Sequence, residues 1–168
     1  CDELHTVEMV AKALSATNDV VLVEADESCY EVFRKIRPDV VFNMAEGIWG
    51  LSRESHIPSI LEMLQIPYTG SGPLTLALCL DKARCKEVLS YYGIPNAAFR
   101  KYESRNDITH DLRLPVIVKP IMEGSSKGIS DKSVCKSYEE AREAIVFVQD
   151  RYKQPALVEE FLPGREFT

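Results

Sequence analysis

A short apolar run that ends on a lysine and a proline, then passes at once into a glycine–serine loop, constrains this chain more than any other stretch. The segment is Leu114 to Ser130, LPVIVKPIMEGSSKGIS. Val116-Ile117-Val118 has the length and β-branched content of a buried strand. Pro120 lacks the N–H that a ladder would need next, so the strand is expected to end there. Small residues in the loop let backbone N–H groups approach an anion, and Ser125, Ser126, Lys119 and Lys127 add donors and positive charge. A buried strand that delivers a lysine to such a loop makes a triphosphate clamp. The same residues also suit a lysine that snorkels to water above an ordinary turn. Taken alone, the segment does not choose between the two.

Charge narrows the partners. The chain has 168 residues and a formal net charge of −6, with no basic block. Phosphate contacts along a nucleic acid need clustered Lys and Arg, so nucleic acid is not expected as a partner. No apolar run approaches the length of a membrane span, and no signal-peptide pattern is present, so neither a membrane nor export is expected. Cys1, Cys29, Cys79, Cys85 and Cys135 form no CxxC pair, which fits reduced thiols in the cytoplasm. His5, His56 and His110 have no metal-ligand spacing.

In chain order, apolar spacing predicts a helix over 7–15, a buried strand at Val20–Val23 and a helix from Cys29 to Ile36 opened by a Ser28/Glu31 capping box. A second strand is expected at Val40–Asn43, and a short helix from Pro58 to Gln65. Strands alternating with helices argue for a parallel α/β layer. Between Met44 and Ile57 lies a loop in which Glu46 and Arg53 are candidate substrate contacts, or solvated charges, and Trp49 a packing residue. The helix Leu74–Leu80 is apolar nearly all round and is expected to be buried. Asp81-Lys82 opens another helix, expected to turn Ala83, Val88, Leu89 and Tyr92 inward and to stop at Gly93. Strands at Ala98–Tyr102, Val116–Val118 and Ala156–Leu162, with a helix launched by Ser137 and Glu140, give the remainder an α+β character. The division is expected near Pro73, giving domains 1–72 and 73–168.

Four segments read together, IPYTGSGPLTLALCLDKARCK (66–86), LPVIVKPIMEGSSKGIS (114–130), ALVEEFLPG (156–164) and GREFT (164–168), resemble the ATP-grasp superfamily. Within it they are similar to the D-alanine–D-alanine ligase family. The resemblance implies a Rossmann-like pre-ATP-grasp domain followed by the first α+β subdomain of an ATP-grasp fold. It implies that Lys82 and Lys119 bind ATP phosphates, as movable point charges suited to that task. Glu123, Gly124, Ser125 and Ser126 match the loop that folds over the phosphates, with Ser125 at the position that helps close the active site. Glu159, Glu160, Phe161 and Leu162 match the segment lining the adenine, and Glu166 the acid that binds the ribose hydroxyls. The activity implied is ligation of an acid to an amine, with amino acids and ATP as small-molecule substrates and an acyl phosphate between them. Relatives are commonly dimers, so a homodimer is the assembly implied.

The sequence departs from the family in three ways. The glycine-rich loop and acid of the family's N-terminal strand have no counterpart in CDELHTVE, although Asp2 or Glu3 stands near that place. Glu46-Gly47 occupies a position where the family has histidine before glycine, and GIWGLSRESHIP replaces an acidic segment. Both of the latter lie where substrate is read, so another amino-acid or peptide ligase of the superfamily, or a non-catalytic ATP-binding module, stays open beside the first reading. The chain reads as a fragment: Mg²⁺ is implied as cofactor, with its ligands expected beyond Thr168, and the fragment alone is expected to be inactive.

Overall fold

The computed structural model describes residues 4–104, 109 and 111–165; Asp2, Glu3 and Glu166 lie outside the described residues. The chain forms two compact units, Cys1–Ala77 and Leu78–Thr168.

In the first unit, helices α1 (Leu4–Leu14), α2 (Cys29–Ile36) and α3 (His56–Leu64) fall where apolar spacing puts them. Cys29, Phe33, Ile57, Leu61 and Ile66 make its core, so α2 and α3 are held together by their apolar stripes. Both helices close on a left-handed residue, Arg37 and Gln65, whose N–H returns to the last turn. The expected capping box at α2 does not form. The Ser28 hydroxyl donates to Asp26 Oδ1 at 2.6 Å and its N–H donates to the same oxygen at 2.8 Å, so a local turn takes the groups a cap would use.

The two strands expected in this unit are also corrected. Among the described residues the region forms a single parallel bridge, Val41 with Tyr68, carried by Val41 N–H to Pro67 O at 2.8 Å and Thr69 N–H to Val41 O at 2.9 Å. Val20–Val23 forms no strand, and Val21 and Leu22 are exposed. A β-branched run makes a strand only when a long-range partner completes the ladder, and local composition does not encode that partner. Trp49, expected to pack, is 84% exposed.

Helix α4 (Pro73–Leu80) begins on its proline as expected, but its apolar girth is not enclosed: of its residues only Leu80 is buried, and Leu74 is 82% exposed. Helix α5 (Lys82–Tyr91) has a satisfied N-cap, with Asp81 accepting from the N–H groups of Ala83 and Arg84. Its inward face differs from expectation. Ala83 is buried and Lys82, Lys86 and Leu89 are half-buried, whereas Val88 and Tyr92 are exposed. The stripe therefore runs through two lysines, one helical turn apart, that find carbonyl and carboxylate partners inside.

The second unit is built on a four-stranded antiparallel sheet, β1 (Phe99–Tyr102), β2 (Val116–Pro120), β3 (Val134–Cys135) and β4 (Ala156–Glu160), in the order β1-β4-β2-β3. Alternation along the strands divides the side chains between two faces. Val116, Val118, Ala156 and Val158 pack with Ala141, Ile145 and Val148 of α6 (Tyr138–Tyr152). This helix starts as expected, with Ser137 Oγ accepting from Glu140 N–H at 3.2 Å. On the opposite face Leu157 joins Ala83 of α5, Ile121, Phe99 and Met122 in a smaller cluster. That second face also carries paired charged side chains from β2, β4 and α5.

Candidate functional site

Glu159 lies on the central strand β4, opposite Phe99 of β1 and Ile117 of β2. Lys119 is two residues further along β2 on the same face, a diagonal neighbour within reach of long side chains. Its ammonium pairs with Glu159 Oε1. From α5, Lys86 Nζ reaches Glu159 Oε2 at 2.8 Å. The side chains are 9% exposed for Glu159, 13% for Lys86 and 19% for Lys119, so this is a largely buried cation–carboxylate–cation triad. Burial pushes the Glu159 carboxyl up, but the hydrogen bonds and charges of Lys119 and Lys86 outweigh it and hold the group below the ordinary glutamate value.

Lys86 is further fixed by Asn96 Oδ1 at 3.3 Å and the Ala97 carbonyl at 3.2 Å, and its ammonium stands 5.4 Å from the centre of the Phe99 ring. Sequence reasoning assigns Lys86 no role. The available signal was its spacing, four residues after Lys82 on a helix, which puts both on one face.

Lys82 approaches the same region from the first turn of α5. Its ammonium donates to the carbonyl of Glu123 and, at 3.4 Å each, to those of Pro120 and Ile121. The lysine thus sits under the start of the glycine–serine loop, beside the strand end that carries Lys119. The Glu123 carboxylate accepts from Gln154 Nε2 at 2.8 Å, while Gln154 Oε1 accepts from Met122 N–H at 2.7 Å, so Glu123 is tied back to the fold.

Beyond Glu123 the loop rises as consecutive turns, with Lys127 N–H to Gly124 O at 2.9 Å and Ile129 N–H to Ser126 O at 3.1 Å. Ser125 (φ 49) and Ser126 (φ 57) are in the left-handed region that side chains rarely adopt, and both are exposed. Such a conformation costs free energy unless its surroundings fix it, and it is common at ligand clamps. At the far root Gly128 has φ 80, and a Cβ there would lie 2.5 Å from Pro120 Cγ and 3.0 Å from Tyr152 Cζ. We expect Gly128→Ala to destabilise the second unit by about 2–3 kcal/mol in urea unfolding, through backbone strain plus overlap with a rigid ring. A change under about 0.5 kcal/mol would mean the loop root can shift freely.

Past Glu159, the Glu160 N–H donates to Ala98 O and the Phe161 N–H to Pro115 O, both at 2.9 Å. Glu160 Oε1 accepts from Arg113 N–H at 3.1 Å. Those amides and that carboxylate are engaged within the protein, and Leu162 is exposed. The structure thus gathers Lys82, Lys119 and Glu159 about one sheet face, with Lys82 held to the Glu123 carbonyl at the start of the glycine–serine loop and Glu160–Leu162 continuing from the central strand. Glu46 and Arg53 belong to the first unit. There Gly47 (φ 73) folds the loop so closely that a Cβ would lie 2.2 Å from the Arg53 carbonyl oxygen, which brings the Arg53 backbone beside the residue following Glu46.

Comparison with known proteins gives this geometry its context. Residues 87–168 match the family described as D-ala D-ala ligase C-terminus. A D-alanine–D-alanine ligase of Sinorhizobium medicae is 38% identical over 151 residues, covering 89% of this chain and 47% of that protein. The chain is D-alanine–D-alanine ligase-like. It spans about half the length of the curated ligases it matches. The D-alanine–D-alanine ligase of Bacillus anthracis, solved in complex with ATP, shares the fold with a TM-score of 0.73 at 21% identity, covering 98% of this chain and 56% of its own. VanG D-Ala:D-Ser ligase of Enterococcus faecalis is similar at a TM-score of 0.61 and 29% identity, over 75% of this chain and 37% of its own. This D-alanine–D-alanine ligase-like chain therefore has the α/β architecture expected from its motifs. Among the described residues, no helix is long and apolar enough to cross a membrane.

Proposed function

We propose that this chain supplies the ATP-binding part of an ATP-dependent carboxylate–amine ligase that joins two amino acids, with D-alanine as both. In this reading residues 1–72 form a substrate domain, with Glu46 and Arg53 as contacts, and 73–168 the first ATP-grasp subdomain. The observation that carries it is convergence: Lys82, Lys119 and Glu159, singled out on three separate segments, lie about one sheet face, with Lys82 tied to the Glu123 carbonyl at the start of the glycine–serine loop.

ATP phosphorylates the first substrate's carboxylate, and the amine of the second attacks the acyl phosphate, releasing ADP and phosphate. Lys119 and Lys82 cancel phosphate charge, which is the principal need of a reaction that asks little covalent work of side chains. The loop folds over the phosphates, with Ser125 helping to close the site and exclude water. Glu159 accepts from the exocyclic amine of adenine, the backbone from Glu160 to Leu162 follows the base edge, and Glu166 accepts from the ribose hydroxyls. Glu123 serves from the root of the loop, through the carbonyl that holds Lys82. Among the described residues no group of three or more His, Cys, Asp or Glu could hold a metal ion. Mg²⁺ is the cofactor this reading implies, held by residues other than these. The cytoplasm, a homodimer and peptidoglycan biosynthesis are the setting this reading implies.

The test is phosphate release from ATP by the intact protein. D-alanine is expected to stimulate it well above L-alanine, glycine or D-serine. Stimulation by a different amino acid alone would replace the substrate and keep the ligase, an outcome that the D-Ala:D-Ser neighbour makes worth including. Failure to bind ATP at all would overturn the nucleotide reading.

A further inference from the structure

We propose that Lys86 is a positioning residue that serves as reserve counter-ion to Glu159, releasing Lys119 from the carboxylate to a phosphate of the nucleotide. The inference rests on the ATP reading above and adds to it a residue that reading does not use.

The two carboxylate oxygens of Glu159 are divided between two lysines, Oε1 to Lys119 and Oε2 to Lys86 at 2.8 Å. A lysine drawn to a phosphate gives up much of its hold on a carboxylate. A carboxylate as buried as Glu159 is strongly disfavoured when left without a cation. Glu159 alone would therefore retain Lys119 and oppose nucleotide binding. Lys86 removes that opposition, because it stays behind. Its ammonium is moored to Asn96 Oδ1 and the Ala97 carbonyl and stands over the Phe99 ring, on the side of the sheet formed by α5 and β1. Lys119 is at the end of β2, next to the loop. One lysine is anchored and the other is placed to move.

Lys119 from β2 and Lys86 from α5 are the charged groups that act on Glu159, and β1 contributes the uncharged ring of Phe99. Without Lys86, movement of Lys119 to a phosphate would leave Glu159 with two outcomes: to pull Lys119 back, or to take up a proton. Nucleotide binding would then become weaker and would acquire a proton.

Calorimetric titration of the protein with ATP, in two buffers of different ionisation enthalpy, reads both effects. Lys86→Met is expected to weaken ATP binding roughly 30-fold at about pH 8, with the deficit narrowing as the pH is lowered and up to about one more proton taken up per ATP than in the wild type. Lys86→Arg keeps the cation and should restore affinity to within about 3-fold. If Lys86→Met does not fold, Lys86→Gln carries the same comparison, since its amide can still donate to Asn96 and Ala97. Wild-type affinity in a folded Lys86→Met or Lys86→Gln protein overturns this proposal and leaves the ATP reading intact. A deficit that neither varies with pH nor is rescued by arginine also overturns it, because a purely structural role would look like that. A wild-type protein that binds no ATP overturns both.

Discussion

Replacing Glu159 with alanine is expected to destabilise the second unit by about 3 kcal/mol, because it strands two largely buried lysines with no counter-charge between them. The same removal on an exposed helix, such as Glu31 beside Arg34, should change stability by under about 1 kcal/mol, since solvent screens that pair. Urea denaturation of the two variants checks the contrast. Adding Lys86→Met to Glu159→Ala should recover part of the loss, because one of the two stranded cations is then gone. Equal losses at Glu159 and Glu31 would mean that water reaches the triad.

The same group gives a pH dependence of known sign. The carboxyl of Glu159 is held below its ordinary value of 4.5, so the folded state binds fewer protons there than the unfolded state. Its contribution to stability is complete above that value. It is lost as the pH falls through the depressed value, where folded and unfolded forms are both protonated. Glu159→Gln should flatten this part of the acid limb of a stability–pH curve.

The second large effect concerns ligand and leaves the fold nearly untouched. Lys119→Met is expected to weaken ATP binding about 100-fold, the value of a charge-assisted contact of about 2.7 kcal/mol. Folding stability should fall by less than about 1 kcal/mol, because Glu159 keeps Lys86 as its partner at 2.8 Å. Equilibrium binding and urea unfolding on one preparation separate the two quantities. Unchanged affinity would remove Lys119 from the site, and a large loss of stability would show that Lys86 does not suffice for Glu159.

Much of this fold was legible in the sequence. Periodicity located α2 and α6 because their apolar stripes are local, and the run Val116–Val118 became β2 with Pro120 as its last residue. The motifs also assign Lys82, Lys119 and Glu159 to one expected nucleotide site, but not the direct pairing of Lys119 with Glu159. What escaped was of longer range. The runs at 20–23 and 40–43 read as strands, but a ladder depends on its partner. The inward face of α5 was drawn through Val88 and Tyr92 by hydropathy, whereas a carboxylate and a set of carbonyls draw Lys82 and Lys86 inward instead. Hydropathy cannot see a buried lysine whose partner lies on a strand far along the chain.

The roots of the glycine–serine loop set a limit on how far its tip can swing. At one root the Glu123 carbonyl is gripped by Lys82 and its carboxylate by Gln154; at the other, Gly128 is wedged against Pro120 and Tyr152. Only Gly124 to Lys127 lies between these anchors. Four residues fully extended span no more than roughly 14 Å, and a segment that must return to its second anchor can send its tip out by about half of that. Under the proposed ATP reading, a loop of such short travel selects by reach: it covers a group held at the end of β2 and leaves uncovered whatever is held a few ångströms further out.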